Sequence, residues 1–382
     1  MKVPSIINND ELEILYEKLG DDVMNLPQSF KKLRLGLLPR ICQLFITSMK
    51  FNPNKKIKFF QFESSKETAV KELLDSPHSL TALLMSDNVY EKDDIEDGQK
   101  IAVELKSKIN LDIQSRLNKS IYRTGQCVQL FAVDHSIKKY AYPSCFYTSE
   151  GNNALRQSQF YTNLLNRIIE LTPTTQTTVC EEHIKDLGQI LYELIENTEQ
   201  HAKHEINTGR TNKSVRGLVI EYKLISKEQE SASIGGTNSA ITQYLEGIRS
   251  FNRTVHILEI SIFDSGEGIF KSLSSENKFD ISIEDEVKVV ENSFSKGTTS
   301  KADSQGYGRG LFNVRSILNK QKGFISLRTG RIGVYHDFNL HPVIESEKES
   351  LSLYDEVSKL NKNYHKQASV EGLACSILVP LR

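Results

Sequence analysis

The stretch LEISIFDSGEGIF, residues 258–270, decides the architecture of the chain. Leu258, Ile260 and Ile262 alternate along one face of an extended segment, and a strand so apolar must lie well inside a sheet. It delivers Asp264 into a turn that carries Gly266 and Gly268. Glycines in such a turn permit unusual backbone angles and the close approach of a flat ligand. A carboxylate at the strand end accepts hydrogen bonds from an exocyclic amine. Asp-Ser-Gly is equally a common strand-ending turn, so this segment alone specifies a buried sheet and leaves its chemistry open.

Working outward, the neighbouring patterns supply the rest of an α/β arrangement. Downstream lie a long polar and helical segment, a glycine loop, a helix to about residue 321, the strands FISLRT and IGVYHDF, and a closing strand LACSILVPL. Upstream, the patterns predict a strand near 216–224, a helix near 181–204 and a helix near 155–171. Earlier, QCVQLFAVDH and KKIKFFQFES read as strands, and residues 8–50 read as helical, with a kink or break at Pro39. With 382 residues the chain is long enough for more than one domain. The expectation is a mixed α/β domain over 1–150, of unknown role with sensing and partner binding as the candidates, followed by a second domain over 151–382.

Bulk properties narrow the functional classes. The formal net charge is -1, so no global basic excess marks a nucleic-acid or anionic-membrane binder. The basic helix KKLRLGLLPR reads first as an amphipathic helix with charged margins. Five cysteines, at 42, 127, 145, 180 and 375, show neither disulfide-framework nor zinc-knuckle spacing. The N-terminus lacks an apolar signal core, and no run is long enough to span a bilayer, so the expectation is a cytoplasmic protein.

Two further segments carry candidate chemistry. In LYELIENTEQHA, residues 191–202, Glu193, Asn197 and His201 stand four apart on a helix whose apolar stripe is Ile184, Leu187, Leu191, Leu194 and Ile195. On the helical wheel Glu193 falls nearly opposite the stripe, which exposes it to solvent unless a neighbouring loop roofs it. A carboxamide oxygen suits magnesium, and a carboxylate one turn away can order or deprotonate a water. In SQGYGRGLFNVRSILNK, residues 304–320, Gly306, Gly308 and Gly310 feed a helix whose free N–H groups and dipole favour phosphate. This spacing is neither that of a dinucleotide fold nor of a Walker A loop. Each segment alone also reads as a solvated face or an ordinary loop.

Taken together and in this order, the three segments resemble the N, G1 and G2 boxes of the GHKL ATPases, the superfamily of gyrase, a heat-shock chaperone, histidine kinases and mismatch-repair proteins. The resemblance covers residues 150–382, with FSKGTTSK similar to the family's lid and EGLACSILVPL to its closing strand. It implies a Bergerat-type ATP-binding domain, an α+β two-layer sandwich with a mixed sheet and a lid over residues 270–305. It implies that Asn197 coordinates Mg²⁺, that Asp264 holds the adenine amine, and that Gly266 and Gly268 shape the base pocket. Gly306, Gly308, Gly310 and Leu311 would wrap the phosphates, with Lys301 ahead of Lys296 and Arg309 as a phosphate contact. Glu193 stands where hydrolysing members keep a general base, and His201 one turn beyond the magnesium Asn. One departure is Leu373, where the family often has Thr after Gly372; Ser376 could substitute only in a different register.

No upstream His lies in a phosphoacceptor pattern, which disfavours a sensor histidine kinase. The expectation is an ATP-hydrolysing switch with ATP and Mg²⁺ as cofactors. It would signal through the N-terminal region to a protein partner or through a homodimer, and nucleic acid is not indicated. The alternatives are a kinase acting on Ser or His of a separate protein, and an ATP sensor without turnover. A zinc site from Cys180, His183, His201 and His204 lacks a paired ligand cluster.

Overall fold

The computed structural model describes residues 1–27, 30, 33–60, 73–86, 89–91, 122–124, 127–134, 143–148, 154–170, 179–202, 213–226, 239–249, 254–273, 281–297, 309–344 and 350–381. In the first part of the chain come α1 (Asn9–Tyr16), β1 (Val23–Pro27), α2 (Leu38–Phe51), β2 (Lys56–Phe60), α3 (Pro77–Met85), β3 (Val89–Glu91), β4 (Tyr122–Thr124) and β5 (Cys127–Ala132). Then follow α4 (Ser158–Glu170), α5 (Glu181–Ala202), β6 (Arg216–Ser226), α6 (Ser239–Ile248), β7 (Thr254–Asp264), α7 (Ile269–Leu273) and α8 (Ile283–Ser293). The last elements are α9 (Gly310–Gln321), β8 (Phe324–Gly330), β9 (Ile332–Asp337), β10 (Tyr354–Asp355) and β11 (Val370–Pro380).

Of the kink or break expected at Pro39 the structure has the break: α2 starts at Leu38, and Pro39 sits in its first turn, where its missing N–H leaves no hydrogen bond unmade. The segment before it, expected to be helical throughout, holds the strand β1 instead. That strand is too short to show a period, and it is stabilised by parallel pairing with β2, whose other edge pairs with β3. With α2 and α3 as the intervening helices, β1, β2 and β3 form a small parallel sheet of the kind that needs helical crossovers.

The second sheet has eight strands in the order β10-β9-β8-β11-β7-β6-β5-β4. Every neighbouring pair runs antiparallel, which corrects the expectation of a mixed sheet. The reason is local: β8 and β9 form a tight hairpin, and α6 returns the chain so that β7 runs back along β6 from Arg216↔Asp264 to Ser226↔Thr254. β5 pairs with β6 from Cys127↔Glu221 to Ala132↔Arg216, so strands from both sides of residue 150 share one sheet.

Both faces of this sheet are covered, giving three layers where two were expected. Leu258, Ile260 and Ile262 of β7 pack on one face with Leu164 and Leu165 of α4, Leu187 and Leu191 of α5, and Val314 and Leu318 of α9. On the other face Val219 and Phe263 join Ile41, Leu44 and Phe45 of α2. Burial on both sides explains why β7 reads as a nearly continuous apolar run.

Buried charges tie the α2 layer to the sheet. Arg328 on β8 is fully buried and donates from Nε and Nη2 to the Glu13 carboxylate of α1 at 2.9 and 3.0 Å. Arg40 of α2, expected at a solvated margin, is buried and paired with Glu356. Among the described residues no helix is long and apolar enough to cross a membrane.

Candidate nucleotide site

The site lies where α5, the end of β7 and the start of α9 meet. Glu181 and Glu182 complement the dipole in the first turn of α5, and the stripe read from the sequence is buried throughout. Glu193 departs from expectation: it is buried rather than solvent-facing, because α9 lies across that side of α5. Asn313 donates from Nδ2 to Glu193 Oε1 at 2.7 Å, and Gln189, one turn earlier, donates to the same oxygen at 2.8 Å. The carboxylate that the resemblance assigns to water activation is therefore held by two carboxamides.

Asn197 lies one turn further along α5. Its buried Nδ2 has no hydrogen-bond partner among the described residues. Gly310, the first residue of α9, comes so close that a Cβ there would stand 3.0 Å from Glu193 Oε2 and 3.4 Å from Asn197 Oδ1. A larger residue would push the two side chains apart, so glycine is what lets α9 begin there.

Asp264 ends β7 with only 6% of its surface exposed. Its Oδ1 accepts from the Gly266 N–H at 2.8 Å. Burial pushes the carboxyl up to about 6, against the downward pull of that N–H. Gly268 has φ 81, the left-handed backbone that favours glycine and turns the chain into α7. The first N–H of α7, from Ile269, donates to Thr329 Oγ1 at 3.2 Å.

Asn197, Asp264, Gly268, Ile269 and Gly310 face one cavity of about 970 Å³, its open mouth included. Asn197, Thr198 and His201 of α5 form one wall, and Asp264 and Gly268 form the end. Gly310 and Leu311 stand at the start of α9, while Ile262, Ile325, Leu327, Leu373 and Cys375 make an apolar floor. Ile269, Leu273 and Phe294 close the side. A mostly apolar slot with a few convergent polar groups has the character of a small-molecule pocket.

Of the residues singled out from sequence, Asn197, His201, Asp264, Gly268, Gly310 and Leu311 line this cavity, and Gly266 serves it through its N–H. Glu193 is not among its lining residues. Lys301, Gly306 and Gly308, with most of the glycine loop and part of the expected lid, lie outside the described residues. Leu373 pairs with Asp264 on one side and Thr329 on the other. Ser376 cannot replace a Thr at that point. In this register it faces away from the cavity, with its hydroxyl 3.4 Å from Glu259 Oε1.

Sequence reasoning missed a support beneath the wall. Arg216, the cross-strand partner of Asp264, is buried and holds Asp134 at 2.9 and 2.8 Å, Glu199 of α5 at 2.8 Å and the Tyr147 hydroxyl at 2.7 Å. These acidic partners raise the guanidinium pKa further, although burial opposes the charge. The cluster pins the last turns of α5, and so Asn197 and His201, to the sheet. Its members are spread over 134–216, and no periodic pattern marks them.

No family model matches this chain, nor does any curated protein or solved structure. Among the described residues no group of His, Cys, Asp and Glu is arranged to hold a metal ion; His204 lies outside them.

Proposed function

We propose that the protein binds Mg-ATP in this cavity as a switch of the GHKL type. The reading is carried by one observation: Asp264, Asn197 and Gly310, from three separate segments of the chain, line the same slot. The apolar floor suits a purine face, and Asp264, ionised above about pH 6, offers an acceptor to the exocyclic amine of adenine. Asn197, whose buried Nδ2 has no partner among the described residues, has a side-chain oxygen of the type that ligates magnesium, and such an ion would offset phosphate charge. Phosphates would lie toward the N-terminus of α9, where the backbone N–H groups are free of intrahelical partners.

A second reading, ATP sensing without turnover, is favoured by the position of Glu193, which is held by Gln189 and Asn313 and lies outside the cavity lining. One titration with ATP and Mg²⁺, followed by phosphate release, addresses both. Binding lost in Asn197→Ala and in Asp264→Ala supports the site; release lost in Glu193→Ala supports hydrolysis over sensing. Unchanged affinity in both of the first two variants would sink the assignment.

A further inference from the structure

We infer that Gln43 of α2 is a positioning residue for the base pocket: it holds the Glu371–Gly372 segment against Asp264, so the N-terminal layer sets how well the pocket accepts an amine-bearing purine. The inference rests on the ATP reading above and adds to it the element that tunes the site.

Gln43 is fully buried on α2, behind the sheet and away from the cavity. Its Nε2 stands 2.9 Å from the Arg328 carbonyl, 3.3 Å from that of Glu371 and 3.4 Å from that of Gly372. Its Oε1 has no partner among the described residues, so the benefit of burying this amide lies in its donor end. One turn later Thr47 Oγ1 accepts from the Glu371 N–H at 3.1 Å, and in the next turn Lys50 lies 3.7 Å from the Glu371 carboxylate. Positions 43, 47 and 50 share one helix face, and that face grips the start of β11.

What it grips is pressed against the pocket. Gly372 has φ 68, and a Cβ there would stand 1.9 Å from the Asp264 backbone oxygen and 3.1 Å from its Oδ1. The Gly372 carbonyl also accepts from Thr329 Oγ1 at 3.4 Å, and that hydroxyl oxygen accepts from the first N–H of α7. The next residue, Leu373, lines the cavity beside Asp264. A displacement of α2 therefore reaches the amine-accepting carboxylate and the root of α7 through a single peptide.

The test uses the full chain and two nucleotides, ATP and purine riboside triphosphate, which lacks the exocyclic amine. Wild type should prefer ATP; if it binds both alike, the adenine reading falls by itself. Gln43→Met keeps the side-chain length and removes both donors. It should weaken ATP about fivefold while changing the desamino nucleotide less than about twofold, the effect of one buried hydrogen bond felt only through Asp264. General loosening of the fold would weaken both nucleotides together. A Gln43→Met protein that keeps the wild-type preference overturns the inference. Should that variant not fold, Thr47→Val takes its place: a reduced preference supports the inference, and an unchanged one overturns it.

Discussion

Asn313 of α9 donates its side-chain amide to Glu193 of α5 at 2.7 Å, joining the two helices beside the cavity through one buried carboxylate. Glu193→Ala strips an acceptor from two half-buried amides, Asn313 and Gln189. The loss should cost about 1–3 kcal/mol of stability. Glu193→Gln keeps the shape and should cost less. Urea melts rank the two variants, and equal stability of Glu193→Ala and wild type would contradict a structural role for this carboxylate.

Gly310→Ala separates function from stability. The added methyl would stand 3.0 Å from Glu193 Oε2 and 3.4 Å from Asn197 Oδ1, so both side chains must give way by a few tenths of an ångström. The melting temperature should change little, and Mg-ATP affinity should fall about tenfold, the equivalent of ~1.4 kcal/mol. Calorimetry on the variant reads both quantities, and unaltered affinity would argue that α9 does not form the phosphate end.

Asp264 sets a pH dependence whose sign follows from its upward shift from 3.8 to about 6. The folded state holds this proton more tightly than the unfolded chain. The stability it contributes is thus present below about pH 4 and lost as pH rises through about 6. Asp264→Asn, which cannot ionise and can still accept from Gly266, should gain up to ~3 kcal/mol at pH 8 relative to wild type. It should also lose ATP binding. For wild type, ATP affinity should drop as pH falls below about 6 and the acceptor is protonated. Identical melting of the variant and wild type at pH 8 would remove the desolvated carboxylate from the account.

Arg216→Met tests the support beneath α5. It leaves Asp134 and Glu199 facing each other without their cation, so stability should fall by about 3–5 kcal/mol. Chemical denaturation measures it. A loss below about 1 kcal/mol would mean that the cluster adds little beyond what packing supplies.

The elements that position the site were the most legible from sequence. β7, α5, β8, β9 and β11 announce themselves because each runs long enough for its period to show, and their observed bounds fall within a few residues of the reading. The convergence of Asp264, Asn197 and Gly310 was legible only through the order of their motifs. What stayed hidden depends on distant partners. β1 is a strand because β2 pairs with it, Glu193 is buried because α9 crosses α5, and Arg40 is internal because Glu356 meets it. None of these facts leaves a local pattern at the residue concerned.

The pairing of β5 with β6 has a practical consequence. A fragment starting at residue 151 would present β6 as a raw edge, its ladder groups open to any passing strand. It would also lose α2, laying Val219 and Phe263 bare to water. Such a piece, although it holds every motif of the candidate site, should aggregate on expression. The segment ahead of residue 150 supplies the strand beside β6 and the helix that covers that face of the sheet, and recombining it with a foreign half would have to rebuild both contacts first.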